Sequence, residues 1–380
     1  GHIDTFSVNR NKPSGEIDGK RYFVTINDGL CYYDIATQTF GAVGGDLQNA
    51  KTGIRGKDHN LATIDDSRLP GTSIITYGGM TADGLNLYAY NPQSKAFVTL
   101  IGLVETSFAY GQNIREIDLG KAGSGDIYFG ANYDAPVQVY NTTNRELMQE
   151  FATNGQADAF HWYKDQLYIG NYNGAILTRM EGNQAIPLFR LNNDAFYQAR
   201  IHSISSGDDK VFVGTVPHVY QNGGLLAWYD LNTELTYVVT GPNPEDVYYA
   251  KSSKVTVTNE WYSAVTNELV DMTKEWDKDE NGDGVCQYFK GPVPMQSITQ
   301  VIYRDGLLYG LSSNMGGTSS VLPANVSAKI FIYDVENMKM IKTIDIGDYI
   351  SDLPKPLANI AALEIDPDIS NKFWGVVAET

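Results

Sequence analysis

Short runs of apolar and aromatic residues alternate along the whole chain with polar turns rich in Gly, Asn and Asp. Many of these runs share one sequence motif. An aromatic run ends in Tyr or Trp, Asp or Asn follows it, and then come a polar turn and another apolar run. The acidic or amide landmark falls at positions 34, 91, 141, 181, 230, 277 and 334, with Glu181 as a degenerate copy. Apolar runs of this length between turn residues are typical of β-strands in hairpins.

Successive landmarks are 40 to 57 residues apart, which is the length of one β-propeller blade. We name the strand before each landmark C and the strand after it D. Upstream lie a run that ends in a Gly or Asn turn, as in LYIGNYNGA (strand B), and an earlier run that ends in an Asp-containing turn, as in ITQVIYRD (strand A). We therefore predict an all-β, seven-bladed propeller of four-stranded antiparallel blades with strand A nearest the axis.

The two ends of the chain complement each other in this scheme. The C-terminus carries strands A (359–366) and B (373–378), and the N-terminus carries the C and D strands around Tyr33 and Asp34. Six whole blades and one built from both ends would close the ring. A surplus strand at 22–26 leaves an eight-bladed ring as an alternative, and 247–270, which fits the repeat poorly, is predicted to be an elaborated blade.

Composition narrows the classes of function and partner. The net charge of −17 disfavours non-specific binding to nucleic acid or to an anionic membrane, because both need a basic surface. No run reaches the roughly 18 apolar residues of a membrane span. We expect one domain over residues 1–380, excised from a longer protein. The acidic composition, rich in Tyr, Asn and Gly, favours an extracellular or cell-surface location.

Polar side chains recur near the start of the predicted A strands, where the central channel of a propeller opens. The candidate catalytic residues at this register are His59, Arg115, His161 and His202, with Arg200 and Gln296 beside them as substrate-binding residues. Two chemistries would use such a set. One is proton abstraction next to a uronate carboxylate, with imidazole as base and Arg stabilising the enolate, and the other is a metal held by imidazoles. The alternative is that these histidines are structural groups bonded to a neighbouring blade.

The predicted B–C loops carry Tyr133, Tyr172 and His218. If these loops open on the same face as the starts of the A strands, the Tyr rings would form a rim on which sugar rings stack. A carbohydrate or another small ligand at the channel would then be the partner. The alternative is that these are exposed turn residues with no ligand, which are common in loops.

One acidic loop has the composition of a calcium site. Its candidate ligands are Asp277, Asp279, Asn281 and Asp283, and Gly282 and Gly284 allow a sharp bend. The twelfth position is Tyr288 or Lys290 rather than the Glu of an EF-hand, and the loop coincides with a predicted C–D turn. Structural calcium is therefore the one candidate cofactor, and a solvated turn is the alternative.

The repeat as a whole resembles the seven-bladed propeller superfamily, in the region of the quinoprotein-like and Kelch-like repeats. The chain is also similar, by residue type, to propeller-fold polysaccharide lyases, which use His, Tyr and Arg at the channel face. This second resemblance implies that His59, His161, His202 and Arg115 act on an acidic oligo- or polysaccharide. Two functions stay open: an extracellular carbohydrate-interacting propeller, as a lyase, or a non-catalytic ligand- or protein-binding module of a larger secreted or surface protein.

Overall fold

The computed structural model is built almost entirely from β-strands and turns. It describes residues 14–25, 29–43, 61–81, 84–101, 114–121, 124–131, 135–192, 196–218, 223–251, 260–272, 291–293, 297–313, 328–348, 360–365 and 373–377. Among these residues, Pro244–Asp246 and Ile346–Asp348 form short 3-10 helices. No helix in the described ranges is long and apolar enough to cross a membrane.

Most of the strands form antiparallel meanders of four consecutive strands, each strand paired with the next. Three such meanders occupy the first part of the chain: β1 (Glu16–Ile17), β2 (Lys20–Thr25), β3 (Gly29–Asp34) and β4 (Thr39–Ala42); β5 (Leu61–Thr63), β6 (Thr72–Thr81), β7 (Gly84–Tyr90) and β8 (Phe97–Ile101); and β9 (Ile114–Leu119), β10 (Asp126–Ala131), β11 (Val137–Asn141) and β12 (Glu146–Phe151). The repeated meander is the blade of a β-propeller, so the predicted fold class is confirmed.

The second part of the chain repeats the same meander. Its strands are β13 (Gln156–Tyr163), β14 (Gln166–Tyr172), β15 (Ile176–Glu181) and β16 (Gln184–Arg190); β17 (Gln198–Gly207), β18 (Lys210–Pro217), β19 (Leu226–Asp230) and β20 (Leu235–Val239); β21 (Val247–Lys251), β22 (Trp261–Ser263) and β23 (Leu269–Val270); β24 (Ser297–Arg304), β25 (Leu307–Ser313), β26 (Lys329–Asp334) and β27 (Lys339–Asp345); and the pair β28 (Ile360–Ile365) and β29 (Phe373–Val377). The blade count of seven, the closure of the ring and the eight-bladed alternative stay predictions.

The chain divides into two compact units. One contains residues 1–152 with 361–363 and 374–380, and the other contains 153–360 with 364–373. In the second unit the middle strand β18 is buried from Val211 to Pro217, whereas in the first unit the outermost strand β12 is mostly exposed. This gradient follows from the blade, in which inner strands are covered on both faces and outer strands meet solvent. The prediction of one continuous domain stays a prediction.

The repeated Tyr-Asp motif marks the C–D turns, as predicted. At five of the seven landmarks the Oδ1 atom accepts hydrogen bonds of 2.8–3.1 Å from backbone amides two or three residues further on. This geometry recurs at Asp34, Asn91, Asn141, Asp230 and Asp334. The side chain closes the turn on its own backbone, which is why a short Asp or Asn is needed there.

The structure corrects the prediction for 247–270. The repeat assigns this stretch to an elaborated sixth blade, but its described residues 247–251 and 260–270 extend the preceding blade, because β21 pairs with the outer strand β20 over five residue pairs and the sheet continues into β22 and β23. At the N-terminus the surplus strand is confirmed as β2, and it pairs with β3 over six residue pairs. The N-terminal C and D strands therefore belong to a meander with a B strand of its own.

We expect Asp230→Ala to lower the free energy of unfolding by about 1 kcal/mol, because the amides of Asn232 and Thr233 lose their acceptor at 2.9 and 3.0 Å. Asp230→Asn keeps the accepting oxygen and should cost much less, since the chain itself uses Asn91 and Asn141 in this role. Urea unfolding of the three proteins measures the difference. Equal losses in the Ala and Asn variants would show that the turn bonds are not the cause.

We also expect stability to fall between about pH 10 and pH 12. Burial and a hydrogen bond from the Tyr303 hydroxyl to the Asp208 carboxylate raise the pKa of Tyr303 from 10.0 to about 12. Above pH 10 the unfolded chain releases this proton while the folded chain keeps it, so the free energy of unfolding decreases as pH rises. Tyr303→Phe should make this decrease smaller in denaturant titrations at several pH values, and an unchanged slope would contradict the assignment.

Candidate functional site

The innermost strands of the second unit share a β-bulge at one position. At this position one extra residue interrupts the pairing of each strand with its neighbour: Asp158 in β13, His202 in β17, which has a second bulge at Ala199, and Thr299 in β24. Each lies five residues before the last residue of its strand. In the first unit, β9 has an irregularity of the same kind at Arg115, four residues before its last residue, and the Arg115 side chain lies outside the described residues. A bulge turns the extra side chain away from the regular alternation, so these residues form one structural class.

The bulges correct the predicted register of the histidines. His161 lies three residues beyond the bulge of its strand, whereas His202 is the bulge residue itself, so the two are not equivalent. Counting from the predicted start of each strand missed this, because His161 lies two residues before the end of β13 and His202 lies five residues before the end of β17. Asp158, which the sequence reasoning did not single out, takes the position of His202 in β13.

Both described histidines among the catalytic candidates bond to a neighbouring strand. The Nδ1 atom of His202 lies 2.9 Å from the backbone carbonyl oxygen of Thr299 in β24. Because a carbonyl only accepts, this nitrogen carries the proton. The Nε2 atom of His161 lies 2.7 Å from Oγ of Ser206 in β17. Each imidazole therefore links the innermost strand of one blade to that of the next.

An ion pair makes a further link between β13 and β17. Arg200 Nη1 donates to Asp158 Oδ2 at 2.9 Å, and the two side chains are only 13% and 3% exposed. Gln156 Nε2 donates to the other carboxylate oxygen at 2.7 Å. The Arg200 guanidinium lies 4.4 Å from the centre of the Tyr172 ring, and the two residues pair across β14 and β17. The carboxylate is thus satisfied on both oxygens and the cation is neutralised.

Serine side chains of β17 accept hydrogen bonds from backbone amides at the edge of β24. The amides of Val301 and Tyr303 donate to Oγ of Ser203 and Ser205 at 3.1 and 2.9 Å. Ser203 is 3% exposed. Sequence reasoning also missed these residues, although small polar side chains at alternate positions of a buried strand are a signal of such bonding, since a buried hydroxyl requires a partner.

Two of the remaining candidates join this network. Arg200 belongs to the network through its ion pair with Asp158, and Tyr172 contacts that network through the Arg200 guanidinium. His218 lies just after β18, where its backbone amide donates to the carbonyl of Tyr197 at 2.8 Å. The candidates that lie outside the described residues are His59, Tyr133, Gln296, Asp277, Asp279, Asn281 and Asp283. Calcium at this loop stays a prediction.

The described part of the innermost strands thus offers a network of links between blades. Within the described ranges, no group of three or more His, Cys, Asp or Glu side chains is placed to hold a metal ion. A general base needs a ring nitrogen within hydrogen-bond distance of the substrate proton. The bonding of His161 and His202 to Ser206 and to Thr299 uses one nitrogen of each ring for structure.

Comparisons with known proteins return only distant likenesses. No protein-family model matches the chain, and no curated protein matches it in sequence. Solved structures that resemble it include U3-55K, with 9% identity, 90% of this chain and 83% of that chain covered and a TM-score of 0.48. The WD40 repeats of RRP9 give 10% identity, 90% and 82% coverage and a TM-score of 0.48. The β-propeller domain of Myceliophteria thermophila Cps50 (Swd1) gives 9% identity, 90% and 87% coverage and a TM-score of 0.45. The propeller assignment rests on the repeated meander and not on these likenesses.

Proposed function

We propose that the chain is a non-catalytic binding propeller, a module of a larger secreted or surface protein. The observation that carries this proposal is that polar side chains of the innermost strands bond to one another and to the neighbouring blade. Asp158 and Arg200 neutralise each other, and His202 is bonded to the backbone of the next blade. These groups hold the blades together, so binding falls to loops and outer surfaces carried on a rigid scaffold.

The lyase is the rival proposal, and the described geometry gives it little support. Proton abstraction next to a carboxylate requires a cation that neutralises the substrate as charge develops. Of the two candidate arginines, Arg200 already faces the Asp158 carboxylate at 2.9 Å and stacks on Tyr172, and the side chain of Arg115 lies outside the described residues. Carbohydrate binding without catalysis remains compatible with the module, as does an extracellular location inferred from the acidic composition.

The structural role of the ion pair gives a prediction about stability. Arg200→Leu leaves the Asp158 carboxylate buried without its cation and should lower the free energy of unfolding by about 3 kcal/mol. Arg179→Leu is a control of the same chemical type, because Arg179 pairs with Glu181, whose side chain is 48% exposed; this should cost about 0.5 kcal/mol. Chemical denaturation measures both. A loss for Arg200→Leu no larger than the control would remove the structural role.

The proposed function itself is tested by an assay for elimination. We expect the wild-type chain, incubated with a panel of uronate polysaccharides with and without added divalent metals, to show no increase in the ultraviolet absorbance of unsaturated products. We expect His202→Ala to be folded but less stable by about 1 kcal/mol, because the Thr299 carbonyl loses its donor. Turnover by the wild type that His202→Ala abolishes without loss of structure would overturn the proposal in favour of the lyase.

A further inference from the structure

One blade of the second unit carries more strands than a blade needs. The meander β17–β20 is complete with four strands, and β21, β22 and β23 add three more at its outer edge. The attachment is regular, since Leu235 to Val239 pair in order with Lys251 to Val247. We call β21, β22 and β23 the sheet extension.

One face of the sheet extension is buried in the core of the unit. Tyr248, Ala250 and Trp261 are 9%, 0% and 2% exposed and belong to the same apolar cluster as Phe196. Trp261 meets the Phe196 ring edge-on, with 4.8 Å between ring centres. Because this face is packed, the sheet extension is a rigid part of the blade.

The opposite face carries a ladder of aromatic rings that runs outward from strand to strand. Trp228 stacks on Tyr237 at 5.0 Å, Tyr237 lies 5.8 Å from Tyr249, and Tyr249 lies 5.5 Å from Tyr262. These residues are direct cross-strand partners, and Leu269 is the next partner after Tyr262. Trp228 is 1% exposed and Leu269 is 63% exposed, so the ladder begins in the core and ends in solvent.

This outward face departs from what a solvated sheet requires. Antiparallel sheets with one buried face normally present polar residues on the other. Here the row is Tyr, Tyr and Leu, and Val265 in the turn after β22 is a further apolar side chain, 54% exposed. Rigid tyrosines beside exposed aliphatic residues are the composition of protein-binding surfaces. Stacking on one another covers the ring faces that a sugar would need, so the row offers ring edges, and the Tyr249 hydroxyl donates to Asn267 Oδ1 at 2.6 Å.

The charges around the row indicate the chemistry of the partner. Residues 244–272 contain five acidic residues and two lysines, and Glu260, Glu268 and Asp271 at the outer end are exposed. The whole chain carries a net charge of −17. A partner with basic residues around an apolar contact would be attracted and oriented by this field.

We propose that the outer face of the sheet extension docks a protein segment that is apolar at its centre and rich in Lys or Arg at its rim. This inference rests on the proposed function, because a binding module needs a surface for its partner. The occupant is a different protein rather than a second copy of this chain, since two copies would bring two acidic rims together.

The probe for this surface is a random peptide library displayed on phage and selected on the wild-type chain. We expect the enriched peptides to combine apolar residues with Lys or Arg and to bind less tightly as salt is raised. Leu269→Arg and Tyr262→Ser should each weaken binding by about tenfold or more. Ile341→Arg, on the outer strand β27 and 51% exposed in the wild type, should leave binding unchanged. Circular dichroism verifies folding, and Val265→Arg replaces Leu269→Arg if that variant unfolds.

Three results would overturn the inference. The first is an absence of enriched peptides, and the second is a set of peptides that Leu269→Arg and Tyr262→Ser do not affect. The third is self-association of the wild type, measured by sedimentation, that Leu269→Arg removes, since a second copy would then be the occupant. None of these depends on the uronate assay, so loss of this surface and loss of the non-catalytic function are separate outcomes.

Discussion

The second unit depends on hydrogen-bond partners for the backbone groups at the free edges of its innermost strands. Such a strand has only one partner in its own sheet, so the amides on its other edge need acceptors within the protein, and an unmatched buried group costs about 1–3 kcal/mol. Ser203 and Ser205 supply acceptors to the amides of Val301 and Tyr303. His202 supplies a donor to a carbonyl of the same strand. Packing of one blade on the next is therefore as much a matter of hydrogen bonding as of apolar burial.

The same requirement explains why the innermost strands look like a catalytic site in the sequence. His, Arg and Asp side chains near the start of an A strand are the residue types of acid–base chemistry, but they are also what a buried bulge needs to bond to its neighbour. Asp158 receives hydrogen bonds from Gln156 and Arg200 and is 3% exposed in its side chain. A carboxylate so enclosed, with its cation beside it, belongs to the scaffold.

Hydrogen bonds within a turn were predictable from the sequence, and the pairing of strands that are distant in the chain was not. The turn landmarks at Asp230 and Asp334 were found because their function is completed within three residues of the chain. The register of His161 was missed because the bounds of β13 and β17 have no sharp signature in the pattern of apolar residues. The pairing of β21 with β20 was missed because 247–270 reads as strands whichever sheet they join.

In the sheet extension, the alternation of apolar and polar residues does not indicate which face of the sheet is buried. Along β21 and β22, Tyr248 and Trp261 face the core while Tyr249 and Tyr262 face outward, so neighbouring residues on both faces are aromatic. A strand with one solvated face gains nothing from rings on that face except the stacking between them. Stacking accounts for Tyr237 and Tyr249, which lie between other rings, but not for Leu269 at the exposed end of the row. The chain thus keeps Leu269 exposed to solvent at the end of a half-buried row of rings, although its own core does not need this side chain there, and a second protein surface is the element that would cover it.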